Sequence, residues 1–388
     1  MMASLQCLVA LLVGCSRTPV GTTDVVSGEP MVPFEPAAGP SCGSNAPFLR
    51  VYPTDEPTDG LGLVPLAEGF AIHASQRGPD KLRGRILRVD EAGELLWEHR
   101  LDGEIHVARL LVAANATDTF VVAGDDAPPN GGDWLIRLDG NGEERWRHYL
   151  GETVLILDAA VFTDGSILLV GRSMVQPILM LVSGAGERIW TRVLEDVNAS
   201  AARQVDARAD GLTIVSFAHE ARRLDPATGA MVWRTEFPPE LREPLHVAWG
   251  DGKLLLASRL SPLVTGRALA LWSLDEGRVL TPVNEAPDVL TGLLPGPYTG
   301  LADGSFAVAG HLPDPSTGET RNSLWGVSAL GDVQWEADVG LDDPLVWFSE
   351  ALATQDGGLV AIGFAGDESW SPFLVRLAPG GHTECPAP

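Results

Sequence analysis

A chain of 388 residues that is 45% hydrophobic and 20% charged holds enough apolar material for one large core or an array of smaller ones, which excludes a disordered polymer. Its 52 acidic against 27 basic side chains leave a net charge of −25; without a basic footprint to release counterions, nucleic acid is excluded as a partner. Tryptophan is over-used, 11 residues against 3 tyrosines, a bias that one recurring structural role would produce.

Residues 1–15, MMASLQCLVALLVGC, carry no charge. Their apolar stretch is too short to span a bilayer and suits the core of a signal peptide. Leu12-Val13-Gly14-Cys15 resembles the bacterial lipobox. That resemblance implies lipidation at Cys15 and, because Ser16 rather than Asp follows, an outer-membrane address. Residues 16–45 are rich in Pro, Gly, Ser and Thr without a sustained period, the composition of a flexible tether. The folded domain is therefore expected over 46–388.

Within that domain one pattern recurs. ILRVDEAGELLWEHRL, LIRLDGNGEERWRHYL, LMLVSGAGERIWTRVL, ARRLDPATGAMVWRTEF and LWGVSALGDVQWEADV each read as a strand, a Gly-containing turn and a second strand opening at Trp97, Trp146, Trp190, Trp233 or Trp335. The first four tryptophans lie 49, 44 and 43 residues apart. A second signature precedes each unit, a tight turn leading into a run such as GSILLVG or GSFAVAG. These turns fall at Glu68-Gly69, Thr117-Asp118, Asp164-Gly165, Asp210-Gly211, Asp251-Gly252, Asp303-Gly304 and Asp356-Gly357. Asp-Gly between β-rich runs is a strong hairpin signal, because both turn positions tolerate positive φ and match strand twist.

Four antiparallel strands repeated every 40 to 55 residues or so, with no helical period, predict an all-β fold: a seven-bladed β-propeller of four-stranded blades. RLDPATGAMVW at 223–233 resembles the pyrroloquinoline-quinone-type (PQQ-like) propeller repeat. In that family the Trp packs on the neighbouring blade and the Gly closes the turn before it, which implies blade packing, not ligand stacking, for the five tryptophans. The fifth unit, LWSLDEGRVLTPVNEAP, has no such Trp, leaving its fourth strand open. Aligning FLVRLAPGGHTEC on the repeat places Cys385 at the tryptophan position of the last unit, so APFLRVYP at 46–53 is expected to supply the missing strand and close the ring.

Of four cysteines, Cys7 leaves with the signal peptide and Cys15 takes the lipid. Cys42 and Cys385 remain, and in an oxidising compartment they are expected to form a disulfide.

No HExxH, CxxC, CxxCH or GxxxxGK[ST] pattern occurs, and the eight histidines show no recurring spacing. Asp139, Asn141 and Glu143 have the oxygen spacing of a small calcium loop, yet the sister turns SGAGE and SALGD lack those ligands, which favours a plain turn. The quinone-dependent dehydrogenases of the resembling fold use an adjacent cysteine pair beside the cofactor. No two cysteines adjoin here, so neither cofactor nor enzymatic activity is expected.

The third-to-fourth-strand turns carry Asp90, Glu91, Asp139, Glu143, Glu187, Asp225, Asp275 and Asp332, which makes one face strongly negative. The second-to-third-strand loops are longer and near neutral, with Arg77, Lys81, Arg83, Arg172, Arg259, Arg267 and Arg321. Function tends to sit on variable loops over a rigid scaffold. The expectation is thus a monomeric envelope lipoprotein, touching the membrane only through its lipid, that binds a protein or surface polymer through the long-loop face. Alternatives are a propeller enzyme with its site at the channel mouth and a secreted structural or adhesive repeat protein.

Overall fold

The computed structural model describes residues 46–52, 58–77, 82–101, 107–124, 132–152, 154–173, 176–195, 202–207, 213–217, 220–237, 244–250, 253–258, 269–274, 280–285, 294–301, 305–313, 320–328, 332–339, 346–354, 356–366 and 370–383. Cys7, Cys15, Cys42 and Cys385 lie outside them, as do the leader and the tether.

The first strand, β1 (Phe48–Val51), stands apart in sequence from its sheet. Six sheets then follow in chain order, each pairing four consecutive strands. Sheet 1 is β2 (Thr58–Leu66), β3 (Gly69–Arg77), β4 (Leu82–Val89) and β5 (Leu95–Arg100). Sheet 2 is β6 (Val107–Ala113), β7 (Thr119–Gly124), β8 (Gly132–Leu138) and β9 (Glu144–Glu152). Sheet 3 is β10 (Val154–Val161), β11 (Ile167–Ser173), β12 (Gln176–Val182) and β13 (Arg188–Val193). Sheet 4 is β14 (Ala202–Ala207), β15 (Thr213–Phe217), β16 (Glu220–Leu224) and β17 (Met231–Glu236). Sheet 5 is β18 (Pro244–Gly250), β19 (Lys253–Ser258), β20 (Leu269–Leu274) and β21 (Leu280–Glu285), so the unit without a Trp does have a fourth strand. Sheet 6 is β22 (Leu294–Gly300), β23 (Phe306–Pro313), β24 (Thr320–Val327) and β25 (Val333–Asp338). The last sheet has the order β1-β28-β27-β26, built from β26 (Val346–Ala353), β27 (Leu359–Ala365), β28 (Ser371–Leu377) and β1. All pairings are antiparallel.

Strand position explains composition. Second strands such as TFVVAG in β7 are buried along their whole length, because neighbouring sheets cover both faces. Val121 packs toward sheet 1 with Ala71 and Ile86, while Val122 packs toward sheet 3 with Leu169 and Met180. The core is thus a set of layers between sheets, and each sheet is stable only against its neighbours. The last sheet meets the first through the same kind of layer, Val360, Ile362 and Leu374 against Leu63, Ile72 and Leu87. Fourth strands lie outermost: in β13 every residue but Trp190 is exposed. First strands lie innermost, each against the first strands of the sheets before and after it, with β26 against β2.

Two register shifts recur. Every first strand slips against its second, as at Asp59/Leu61, Ile156/Asp158 and Phe348/Glu350, a bulge that bends the inner strand and raises its twist. Fourth strands joined by a hairpin also slip, as at Arg88/Val89 and Arg137/Leu138. The pairing of β1 with β28 has no slip, since no turn joins those strands, and it sets Phe48 opposite Arg376. In the sister sheets the residue opposite the equivalent arginine is Trp97 or Trp146. Phe48, supplied by the N-terminal strand, therefore holds the tryptophan place that the linear alignment gave to Cys385.

Candidate functional site

The third-to-fourth turns of sheets 1, 2 and 4 are built from the Asp that follows the third strand, Asp90, Asp139 and Asp225, and those of sheets 3 and 6 from Ser183 and Ser328. Asp139 Oδ1 accepts the amides of Asn141 (2.9 Å) and Glu143 (3.0 Å), and Oδ2 pairs with Arg145 at 2.8 Å. Asp90 does the same for Ala92 and Glu94. Of the oxygens spaced like calcium ligands, those of Asp139 are thus engaged by the turn itself and by Arg145, and among the described residues no cluster of three His, Cys, Asp or Glu could hold a metal. Each turn then seats the aromatic of the preceding sheet. Gly142 has φ +81°, and a Cβ there would meet the Trp97 ring at 2.8 Å; the indole N–H of Trp97 donates to Gly140 O at 2.9 Å. Trp146 lies against Gly186, Trp190 beside Gly229 with a bond to Pro226 O, and Trp335 under Gly381. Trp233 is half-buried with its indole N–H unpaired. Trp97, Trp146, Trp190 and Trp335 thus pack on the turn of the following sheet, and all five indoles are half-buried.

A set of arginines that the sequence reading passed over adds to these contacts. Arg137 reaches Asp118 of its own sheet (2.8 Å) and Gly184 O of the next turn (2.7 Å). Arg376 reaches Asp356 (3.1 Å) and, from the last sheet to the first, Glu91 O (3.4 Å). The signal was present as the Arg shared by ILRVD, LIRLD and FLVRL. The polar groups of this face therefore close their own turns and tie sheet to sheet.

On the opposite face, Arg83 is the second residue of β4 and Arg172 lies near the end of β11, both exposed. Arg77 and Arg321 sit at strand positions paired with Leu82 and Leu312. Lys81, Arg259 and Arg267 lie outside the described residues, with most of the long loops themselves.

The inner strands hold a second constellation, absent from the sequence reading. Glu350 on β26 and Asp158 on β10 each follow the bulge of their strand directly. Each accepts a backbone amide from the inner strand of the next sheet, Leu63 N to Glu350 Oε2 at 2.6 Å and Val205 N to Asp158 Oδ2 at 2.8 Å. Burial pushes the Glu350 carboxyl up to about 8, opposed by the Leu63 amide and reinforced by the charge of Asp158. Beside Glu350 lies His73 of β3, buried at 5% exposure with Nδ1 unpaired. Its ring occupies the place where a Cβ on Gly62 would stand, and Glu350 Oε2 is 3.3 Å from that same point. Gly62 is thus a gap in the inner strand through which a second-strand histidine reaches the edge of β2. Burial lowers the His73 imidazole to about 4, so it stays neutral near pH 7. The available hint was an acid inside otherwise apolar first strands, VLILDAAV and VWFSEALA. Nothing in the linear chain sets Glu350 beside His73.

No family model matches the chain, and no curated protein matches it in sequence. Among solved structures it is similar to streptogramin B lyase, at 12% identity over 85% of this chain and 98% of that one, with a TM-score of 0.56. It is also similar to the β-propeller domain of Cps50 (Swd1) from Myceliophteria thermophila, at 11% identity over 84% of this chain and 98% of that one, with a TM-score of 0.56. At such identities what is shared is the fold, a β-propeller.

Proposed function

We propose that this chain is a seven-bladed propeller of the PQQ-like repeat type, closed by its N-terminal strand and anchored by lipid on Cys15 in the bacterial outer membrane. In this reading it is a non-enzymatic binding or scaffold protein that engages an envelope protein or surface polymer through the long-loop face. The observation that carries the reading is an asymmetry between faces. The tight-turn face spends its carboxylates on closing its own turns and its arginines and aromatics on contacts between sheets, whereas Arg83 and Arg172 stand exposed at the other end of the strands. The proposal also includes a Cys42–Cys385 disulfide that ties the tether to the end of the last blade.

The experiment is crosslinking in intact envelopes with the lipidated chain, comparing wild type with an Arg83→Glu/Arg172→Glu variant. A specific adduct lost in the variant supports the long-loop face. An unchanged adduct, or none beyond a lipoprotein of unrelated fold, overturns it. Palmitate labelling that persists in Cys15→Ser would remove the anchor from the proposal.

A second reading, a propeller with its chemistry on the inner strands, is favoured by one observation, the neutral His73 and the elevated Glu350 meeting at Gly62. A propeller that is a lyase by name shares the fold at 12% identity, and that similarity adds nothing about residues.

A further inference from the structure

We infer that the seam between the last sheet and sheet 1 carries, on the tight-turn face, a pocket for a lysine side chain of a protein partner, with its stem on Pro65, Leu66 and Phe70 and its ammonium at Glu91. The inference stands apart from the long-loop reading, and either can fail without the other.

The pocket arises from a departure in the repeat. Five residues separate the first strand from the second in sheets 2, 3, 4 and 6 and in the last sheet, whereas only Ala67 and Glu68 lie between β2 and β3. The longer turn of sheet 2 reaches back over its seam, where Ala116 O accepts the amide of Ala67 at 2.9 Å. The turn of sheet 1 is three residues shorter, and the seam between it and the last sheet holds a hollow of about 450 Å³. That volume lies within the range of pockets that hold a ligand on mostly apolar walls with a few polar groups.

The lining decides the occupant. Pro65, Leu66 and Phe70 of sheet 1 and Ala353 of the last sheet form the apolar wall, and Arg376, Asp356 and Glu91 the polar part. Arg376 is buried and pairs with Asp356 at 3.1 Å, so these two charges offset one another. Glu91 gives its backbone carbonyl to Arg376 at 3.4 Å; its half-buried carboxylate makes no hydrogen bond or ion pair among the described residues. Two carboxylates against one guanidinium leave the hollow negative, in a chain whose net charge of −25 favours approach of basic partners. An anion would meet the uncompensated carboxylate, and a wholly apolar side chain would desolvate Glu91 without pairing it. A side chain with a hydrocarbon stem and a cationic head meets both demands. The four methylenes of lysine cover more of the apolar wall than the three of arginine.

The test is saturation-transfer NMR of the full chain with Nα-acetyl-lysine amide at millimolar concentration, with Nα-acetyl-norleucine amide as the uncharged comparison. The expected result is saturation greatest at the side-chain methylenes of the lysine probe, and weaker binding of the norleucine probe. Glu91→Gln should reduce affinity for the lysine probe about three- to fivefold, the worth of one partly exposed ion pair. Ala67→Leu, which adds three carbons at the exposed wall of the hollow, should abolish the signal, and Glu187→Gln on an exposed turn should leave it unchanged. No saturation of the lysine probe, norleucine binding as tightly as lysine, or a signal that persists in Ala67→Leu would each overturn the inference. The comparison of the two probes on wild type needs no variant, so misfolding of a substituted chain leaves the test intact. In intact envelopes, carbodiimide treatment is expected to join the Glu91 carboxyl to a lysine as an amide. Peptide maps in which Glu91 is never joined to a lysine-bearing peptide would overturn a protein source for the ammonium.

Discussion

The contact of sheet 1 on sheet 2 and that of the last sheet on sheet 1 do the same job with different parts. In the first, one residue suffices: Trp97 covers Gly142 and its indole N–H bonds the turn carbonyl of Gly140 at 2.9 Å. In the second, the two tasks are divided. Phe48 covers Gly93, with 2.6 Å from a Cβ there to its ring, and the hydroxyl of Tyr52 donates to Gly93 O at 2.8 Å. An ion pair, Arg50–Glu94 at 3.0 Å, and the inner bond from Leu63 to Glu350 are added. The first contact joins segments close in sequence. The second joins residues 287 apart along the chain, and such a junction must offset a much larger loss of chain freedom. The contrast teaches that a repeat can lose its signature residue where two segments share its work.

Substitutions can break this comparison. The largest effect is expected for Phe48→Ala, which empties the aromatic layer under Gly93 and should cost about 3–4 kcal/mol in urea unfolding. A cost like that of an exposed residue would mean that β1 contributes little to the last sheet. Next is Gly142→Ala, where positive φ and the Trp97 ring both oppose a methyl group. About 2–3 kcal/mol is expected, against about 1 kcal/mol for Gly165→Ala, where φ is +80° but nothing lies within 4 Å. Equal costs would show that backbone strain alone matters and the indole does not.

Glu350 and the neighbouring His73 yield pH dependences of opposite sign. Glu350 holds a proton in the folded chain up to about 8 but loses it near 4.5 when unfolded, so its contribution to stability falls as pH rises through that window. His73 is neutral in the folded chain down to about 4 but protonates near 6.5 when unfolded; its contribution is lost as pH falls from 6.5 to 4. Glu350→Gln should flatten the alkaline decline, by about 1–2 kcal/mol between pH 5 and 8, and leave the acid limb in place. Thermal melts across pH 4 to 9 would show an unchanged alkaline limb if Glu350 did not keep its proton. The smallest effect is expected for Tyr52→Phe, about 1 kcal/mol for one hydrogen bond. A null result there, beside a large one for Phe48→Ala, would assign the last contact to packing alone.

The four-strand unit was legible because its causes are local. Glycine and aspartate at the turns, alternation in the third strands and a tryptophan at a constant offset all act within about fifteen residues, and hairpin pairing needs nothing more distant. The same local reading went astray where the chain stops being local. It set Cys385 at a position that Phe48 holds, because an alignment follows the chain and the partner of β28 lies more than 300 residues upstream. It also left the fourth strand of the fifth unit open. β21 is present although Thr281 faces Ser273 where other sheets set a Trp opposite Arg88, Arg137, Leu181, Arg223 or Gly326, since backbone pairing and neighbouring sheets stabilise a strand without its signature.

For the inner constellation the division is sharper. Sequence alone determined the repeating strand unit and the acidic balance, both of which follow from residue type and short spacing. Only the tertiary structure decided that Glu350, Gly62 and His73 meet, and that Asp158 acts on the same carboxyl. The physical reason is that bulges on separate inner strands turn these side chains toward shared space, and no spacing along the chain encodes which bulges face one another.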